Sequence, residues 1–493
     1  MTTTSRIDKI DSSNFHKLFI GGEWVKPSTD RLLDVICPFT EELLVQVAEA
    51  DVADVDLAVF AAHHAFENGP WPRMSPLERA EILESFAKAM RRRSGDFATA
   101  WTESTGVVTS MSSGSLEYAI SAVDRSIEQA SSFPFIEKYR PENGGNMLVH
   151  EPVGVVAAIA PWNAPLASML TKVGPALIAG CTVIMKPAPQ TPIEAYIIAE
   201  CAVEAGFPPG VINLITAERD ASDHLVCHPH VDKVSFTGSV TTGQRIASVC
   251  AERIARVTLE LGGKSAAIVL DDYDLKKAAE NLAGAICVLN GQNCAALTRV
   301  IVSRDRHDEF VEYLVTAMEN ITVGNPYDSD TNIGPISIKS QLEKIESYIV
   351  KGINEGATLA TGGKRPLHLE RGYYFEPTVF SNVDNSMAIA QEEIFGPVLC
   401  VIPFEDEDDA IRIANDSPFG LGGAVYTNDN SIAYRVARQI RTGTVGHNGM
   451  KATFDIAFGG FKKSGLGREG GTKGLLPYLE PKTLMLEGEP LEL

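Results

Sequence analysis

The chain has 493 residues, 44% of them apolar and 22% charged, with a formal net charge of −21. That length exceeds a single hydrophobic core, so two or three domains are expected, and so acidic a chain excludes the phosphate backbone of nucleic acids as a partner. No membrane span is expected, because the longest uncharged stretch, 153–171, is broken by Pro161, Asn163 and Pro165; the polar first 15 residues lack a signal peptide's apolar centre, which points to the cytoplasm.

Ser75-Pro76-Leu77-Glu78 predicts a capped helix with proline at its first position, running through Met90 and ending near Gly95. From 150 the pattern alternates. Strand-like runs at 153–160, 181–185, 211–215, 231–236 and 257–261 enclose helical stretches. These stop at Gly180, run from a second capping box, Thr191-Pro192-Ile193-Glu194, to Gly206, and cover 221–228 and 240–255. Such alternation implies right-handed crossovers and a parallel sheet that binds ligands at the carboxyl ends of its strands. A second block follows, with helices at 273–288, 306–319 and 337–354 and strands at 299–302, 398–403 and 422–426. The acidic run 405–409 reads as the first turn of a helix. Residues 131–150 and the tail after 471 stand apart.

The eight cysteines have no CxxC spacing and read as reduced thiols. Gly465 to Gly470 spells GxGxxG but opens no βαβ unit, and Gly263-Lys264-Ser265 lacks the upstream glycine of a phosphate loop. His224, Cys227, His228 and His230 read as loop residues, and no metal is expected.

Four stretches carry chemistry. Gly291-Gln292-Asn293-Cys294 places a thiol just beyond a polar turn, where local dipoles can activate it. Pro161-Trp162-Asn163-Ala164-Pro165 sets one amide in a rigid turn after a buried strand, positioned for a developing oxyanion. Val257 to Lys264 holds Glu260 among apolar neighbours, which raises a carboxyl pKa and suits a general base. Ser235 to Gly243 leaves a strand and opens a helix. Gly238 permits the turn, and Ser239 caps a helix end that can receive a pyrophosphate. Lys186 in KPAPQTP and Glu393 in EEIFGPV are further candidates for ribose hydroxyls.

Together, PWNAP (161–165), KPAPQTP (186–192), FTGS (236–239), LELGGKS (259–265), GQNC (291–294), EEIFGPV (392–398) and GGFKKSGLGRE (459–469) resemble the aldehyde dehydrogenase superfamily. The resemblance runs from about Leu18 to the C-terminus and includes the 34-residue step from Glu260 to Cys294. It implies Cys294 as nucleophile, Asn163 with the Cys294 N–H as oxyanion hole, and Glu260 as base for the hydrolytic water. It implies that Lys186 and Glu393 hold the riboses, Ser239 the pyrophosphate and Phe395 the nicotinamide side; Trp162, Gly238 and Gly243 join the cofactor-binding group. The implied fold is α/β: a Rossmann-type cofactor domain (1–128 and 152–261), a catalytic domain (262–459) and a small β arm (129–151 and 472–493). The arm would build a homodimer or homotetramer, with 475–486 adding a strand to a neighbouring subunit.

Two departures bear on specificity. Many members carry glutamate where Pro189 stands; that residue bonds the adenosine ribose and repels a 2′-phosphate, so NAD is expected and NADP is tolerable. Ala164 and Thr171 replace large aromatics while Phe454 and Phe458 remain, which implies a wide apolar tunnel for bulky aldehydes. The competing readings are a CoA-acylating enzyme, which tends to lack the base that Glu260 supplies, and a catalytically dead binding protein on the same fold.

Overall fold

Val155–Ile159 and Thr182–Lys186 are buried at every position, the signature of parallel strands covered on both faces. The computed structural model describes residues 6–139 and 145–488. Residues 1–5, 140–144 and 489–493, within the polar N-terminus, arm and tail expected above, lie outside the described residues. The first sheet has eight strands, in the order Gly465–Leu466, Arg256–Glu260, Lys233–Thr237, Val155–Ile159, Thr182–Lys186, Ile212–Leu214, Leu18–Ile20 and Glu23–Val25. Its five central strands are parallel.

After Val155–Ile159 the chain proceeds to one side of the sheet, then returns to the other at Lys233–Thr237. The order therefore reverses between these two neighbours, and the crevice at their carboxyl ends is where such sheets bind ligands. One face is covered by helices Pro76–Arg92, Leu116–Ser132, Pro165–Ala179 and Ile193–Ala205, which bury Leu83, Ile120, Val173 and Ile197. The other is covered by helices Val52–Asn68, Arg219–Cys227 and Val240–Glu252, which bury Val59, Leu225 and Val249.

The second sheet runs Thr358–Thr361, Thr378–Ser381, Val398–Phe404, Arg299–Ser303, Ala266–Val269, Gly422–Tyr426 and Thr444–His447. Only its first pair is antiparallel. Arg299 is buried at the start of its strand, yet its guanidinium donates to Lys264 O, Asn385 Oδ1, Ile413 O and Ala414 O, so the desolvated charge keeps its hydrogen bonds. The acidic run does open a helix, Glu407–Asn415, capped by Asp406.

The structure corrects three sequence readings, at Gly95, at Thr191 with Glu194, and at His224 with Cys227. The helix begun by the Ser75/Glu78 capping box ends at Arg92, and Gly95 lies in the first turn of the next helix, Ser94–Thr105. The Thr191/Glu194 box does not form. Pro192 takes the cap position, which puts Glu194 one place too early to reach back, and the side-chain oxygens of both residues make no hydrogen bond. His224 and Cys227 belong to a helix that His228 caps, not to a loop. Leu479–Leu484 pairs with Asn146–Pro152 of its own chain, forming with Ile136–Tyr139 a three-stranded antiparallel sheet. Among the described residues no helix is long and apolar enough to cross a membrane.

Candidate active site

The crevice at the strand reversal widens into a cleft of about 390 Å³, which draws its walls from both large sheets. Twelve of the fourteen residues singled out from the sequence line it: Asn163, Trp162 and Ala164 from one loop, Thr171 from the following helix, Gly238 and Ser239, Glu260, Cys294, Glu393 and Phe395, and Phe454 and Phe458. Lys186 and Gly243 do not. Lys186 lies buried at the end of its strand, where burial pulls its ammonium down to about 8 against the opposing pull of Glu218. Gly243 packs in the helix after Ser239, where a Cβ would meet Leu261 Cδ2 at 2.5 Å. A larger cavity, about 780 Å³, opens between helices Leu275–Ile286 and His307–Glu319 but contains none of these groups.

Cys294 follows an over-determined loop. Leu289, Asn290 and Gly291 all have left-handed backbone, with φ of 54°, 55° and 77°. Such conformations cost of order 1–3 kcal/mol each for non-glycine residues and need surrounding bonds to persist. Asn290 Nδ2 donates to Gly106 O and Pro335 O, and its Oδ1 accepts from Gly334 N. Gln292 holds Ser337 N through Oε1 and donates to Ser337 Oγ. Gly291 is required because a Cβ there would stand 2.3 Å from Pro397 N. The loop of GQNC thus rests on the backbone of EEIFGPV.

Asn163 Nδ2 donates to Gln292 O at 2.8 Å, and Trp101 Nε1 donates to Asn163 O at 3.1 Å. One amide hydrogen is therefore anchored on the loop that carries Cys294, leaving the second for the cleft. The Cys294 thiol makes no polar contact that lowers its pKa enough for ionisation. Burial, then the carboxylates of Glu393 and Glu260, push it up to about 12 against the backbone N–H groups of Cys294 and Ala295.

Glu260 ends its strand 3% exposed, and neither carboxylate oxygen has a hydrogen-bond partner. Burial, then repulsion from Glu469, raises its pKa well above the ordinary range against the attraction of Lys172 and Arg468. Lys172 Nζ lies 2.6 Å from Glu469 Oε1 and 2.6 Å from Thr237 Oγ1, and Thr171 Oγ1 donates to Glu469 Oε2. Sequence reasoning missed this pair. Its one signal was that Lys172 ends the long uncharged run.

Ser239, which lines the cleft, accepts from Thr242 N and caps helix Val240–Glu252, whose first N–H groups have no partner within the helix. Gly263 N donates to Glu393 Oε1 at 2.9 Å, and a Cβ on Gly262 would stand 2.2 Å from Glu393 Oε2. Phe395, itself at φ 61°, meets Trp162 edge-on at 5.3 Å. Gln341, missed in the sequence, holds that strained turn by donating to Ile394 O and Phe395 O.

The aldehyde dehydrogenase family model matches residues 24–484. The chain belongs to the aldehyde dehydrogenase family. It is 40% identical to the geranial dehydrogenase of Castellaniella defragrans over 96% of this chain and 98% of that one. It is 42% identical to the 3-succinoylsemialdehyde-pyridine dehydrogenase of a Pseudomonas species over 96% and 98%. Among solved structures, a mutant of aldehyde dehydrogenase C from Pseudomonas syringae, complexed with NAD+ and octanal, superposes with a TM-score of 0.94 at 38% identity, covering 98% of this chain and 99% of that one. A Mycobacterium tuberculosis aldehyde dehydrogenase complexed with NAD+ gives 0.93 at 41%, covering 97% and 99%. This aldehyde dehydrogenase is thus an oxidoreductase, and aldehyde oxidation is its general activity.

Proposed function

We propose that the enzyme oxidises bulky apolar aldehydes to carboxylic acids with NAD, through a thioester on Cys294 that Glu260 helps water to cleave. The observation that carries this reading is the convergence of one anchored amide, Asn163, one thiol, Cys294, and one unpaired buried carboxylate, Glu260, in a single apolar cleft.

The nucleotide-binding end fits NAD by its donor set. A capped helix N-terminus suits the pyrophosphate, Lys186 and Glu393 suit ribose hydroxyls, and Trp162 and Phe395 supply flat walls. Bound NAD supplies the acceptor for the hydride. The side chains do the rest. Cys294 gives its thiol proton to water in the cleft as its Sγ bonds to the aldehyde carbon, and the free N–H of Asn163 with the Cys294 N–H holds the resulting oxyanion. Loss of hydride leaves a thioester. Glu260 takes a proton from water as it attacks, and Cys294 leaves with the acid released. Pro189 supplies no carboxylate to the adenosine ribose, but Glu218, which precedes helix Arg219–Cys227 beyond the neighbouring strand, acts on Lys186 and favours NAD over a 2′-phosphate.

Ala164, Ala167, Ser168 and Thr171 line the same cleft as Phe454 and Phe458. Small residues in an apolar cleft leave room for a chain or ring. The relatives point the same way, since one carries geranial in its name and another is complexed with octanal. A cytoplasmic location, supported by eight unpaired cysteines, and a homo-oligomer built through the three-stranded arm belong to the same proposal.

The test is initial-rate measurement with NAD and with NADP over acetaldehyde, octanal and geranial, without CoA. The reading requires acid release, kcat/KM at least about tenfold higher for the two larger aldehydes, and loss of turnover in Cys294→Ala. Preference for acetaldehyde would defeat the substrate reading, and dependence on CoA the hydrolytic one.

A further inference from the structure

Helix Arg219–Cys227 carries His224 on its last turn, and His228 caps it four residues later, so both rings project from one side. Helix Val52–Asn68 packs against it and brings up Asp56, which is 168 residues away in sequence from His224. Asp56 Oδ1 is 2.6 Å from His224 Nε2 and 3.5 Å from His228 Nε2. One ligand atom from each of the three residues lies within 4.8 Å of the other two.

We propose that Asp56, His224 and His228 form a site for a divalent first-row transition metal, with zinc the ion it fits, clamping helix Val52–Asn68 to helix Arg219–Cys227. A tetrahedral zinc bound at about 2.0–2.1 Å holds its ligand atoms about 3.3 Å apart, and the two measured separations bracket that value. The donors match zinc's preference for imidazole and carboxylate, and the rings of His224 in the last turn and His228 at the cap stand 5.8 Å apart between centroids. Asp56 and His224 are 40% and 34% exposed, while His228 is 6% exposed. The site is thus anchored on one side and open to water, as fourth ligand, on the other.

The surroundings also show what binding must overcome. His228 Nδ1 accepts from His230 N at 3.2 Å, so in the metal-free protein Nε2 carries the proton and directs it at Asp56. Metal binding needs the other tautomer and gives up that one long hydrogen bond. Arg253 is the nearby cation, and its guanidinium is committed to Val226 O and Val231 O. The rings of Phe60 and His230 stand 5.6 Å and 5.7 Å from His228, and His63 stacks on His230 at 4.2 Å, which restricts the rotation of His228.

The experiment is zinc titration by calorimetry near neutral pH on full-length protein carrying Cys294→Ser, so that the thiol of the cleft cannot compete for the metal. One equivalent per chain is expected, with a saturable rise in Tm. Because His224 and Asp56 are partly exposed, His224→Gln and Asp56→Asn fold, and each weakens zinc binding at least tenfold. Cobalt in place of zinc should give visible bands of a nitrogen–oxygen site with no thiolate charge-transfer band. Absence of saturable binding, undiminished affinity in the His224→Gln/His228→Gln double variant, or a thiolate band that disappears in Cys227→Ala would each overturn the site.

Discussion

Lys172 Nζ and Glu469 Oε1 are 2.6 Å apart, with side chains 0% and 6% exposed, and this pair stands beside the unpaired carboxylate of Glu260. A buried pair of this kind is costly to break from one side, about 3–5 kcal/mol. Here it also sets the field at Glu260. Glu469 repels the ionised form of Glu260, and Lys172 favours it.

The acid limb of turnover should therefore move in opposite directions in two variants. Glu469→Gln removes the repulsion and leaves Lys172, so Glu260 ionises at lower pH and the limb moves down. Lys172→Met removes the attraction, so the limb moves up. Single-turnover thioester hydrolysis followed across pH measures both. A limb that stays in place in both variants would remove Glu260 from the hydrolytic step.

Glu260→Gln should separate stability from activity. An unpaired buried carboxylate strains the native state, so the neutral amide raises stability by on the order of 1 kcal/mol. The sign follows from the raised pKa. The native state of the parent holds its proton to higher pH than the unfolded chain, whose glutamate titrates near 4.5. The parent therefore loses stability as pH rises from there through the native value, and the variant does not. Its advantage should be larger at pH 8 than at pH 5 in thermal unfolding. NADH should still form in a single burst, with steady turnover lowered by at least about a hundredfold.

Much of this arrangement was legible in the sequence because the parallel strands are short apolar runs and the motifs sit at their ends. Val155–Ile159, Lys233–Thr237 and Arg256–Glu260 all fell within two residues of their predicted bounds. What escaped was contact between distant segments. Asn290 and Gln341 look like ordinary polar residues until the turns they bond, at 334–335 and 394–395, fold against them. Glu469 stood in a quoted motif, but its partner Lys172 is 297 residues away. Leu18–Ile20 and Glu23–Val25 join the edge of the first sheet, although each has only three residues and no alternating pattern to announce it. Asp56 gave no sign of facing His224 and His228, because periodicity shows a helix face and not what lies opposite.

Tunnel width is open to a direct test at Ala164, which lines the cleft next to Asn163. Ala164→Phe adds a ring to the cleft that Phe454 and Phe458 also line. The expected result is a fall in kcat/KM of more than about tenfold for octanal and less than about threefold for acetaldehyde, since lost pocket volume penalises the larger substrate. Equal losses on both aldehydes would mean that the small residues do not set substrate size.

The thiol offers the last test. Burial and two carboxylates push Cys294 up to about 12, so nearly all of it is the unreactive thiol at neutral pH. Alkylation by iodoacetamide, with the modified residue identified by peptide mass, should then accelerate about tenfold per pH unit from 6 to 9, with no plateau, because the thiolate fraction rises in that proportion far below the pKa. Glu393→Gln removes one of the two repelling carboxylates and should raise the rate at every pH in that range. A plateau near pH 7 in the parent would mean that the thiol is already ionised before any nucleotide arrives, and the activating influence would then lie in the protein's own dipoles around 294–295.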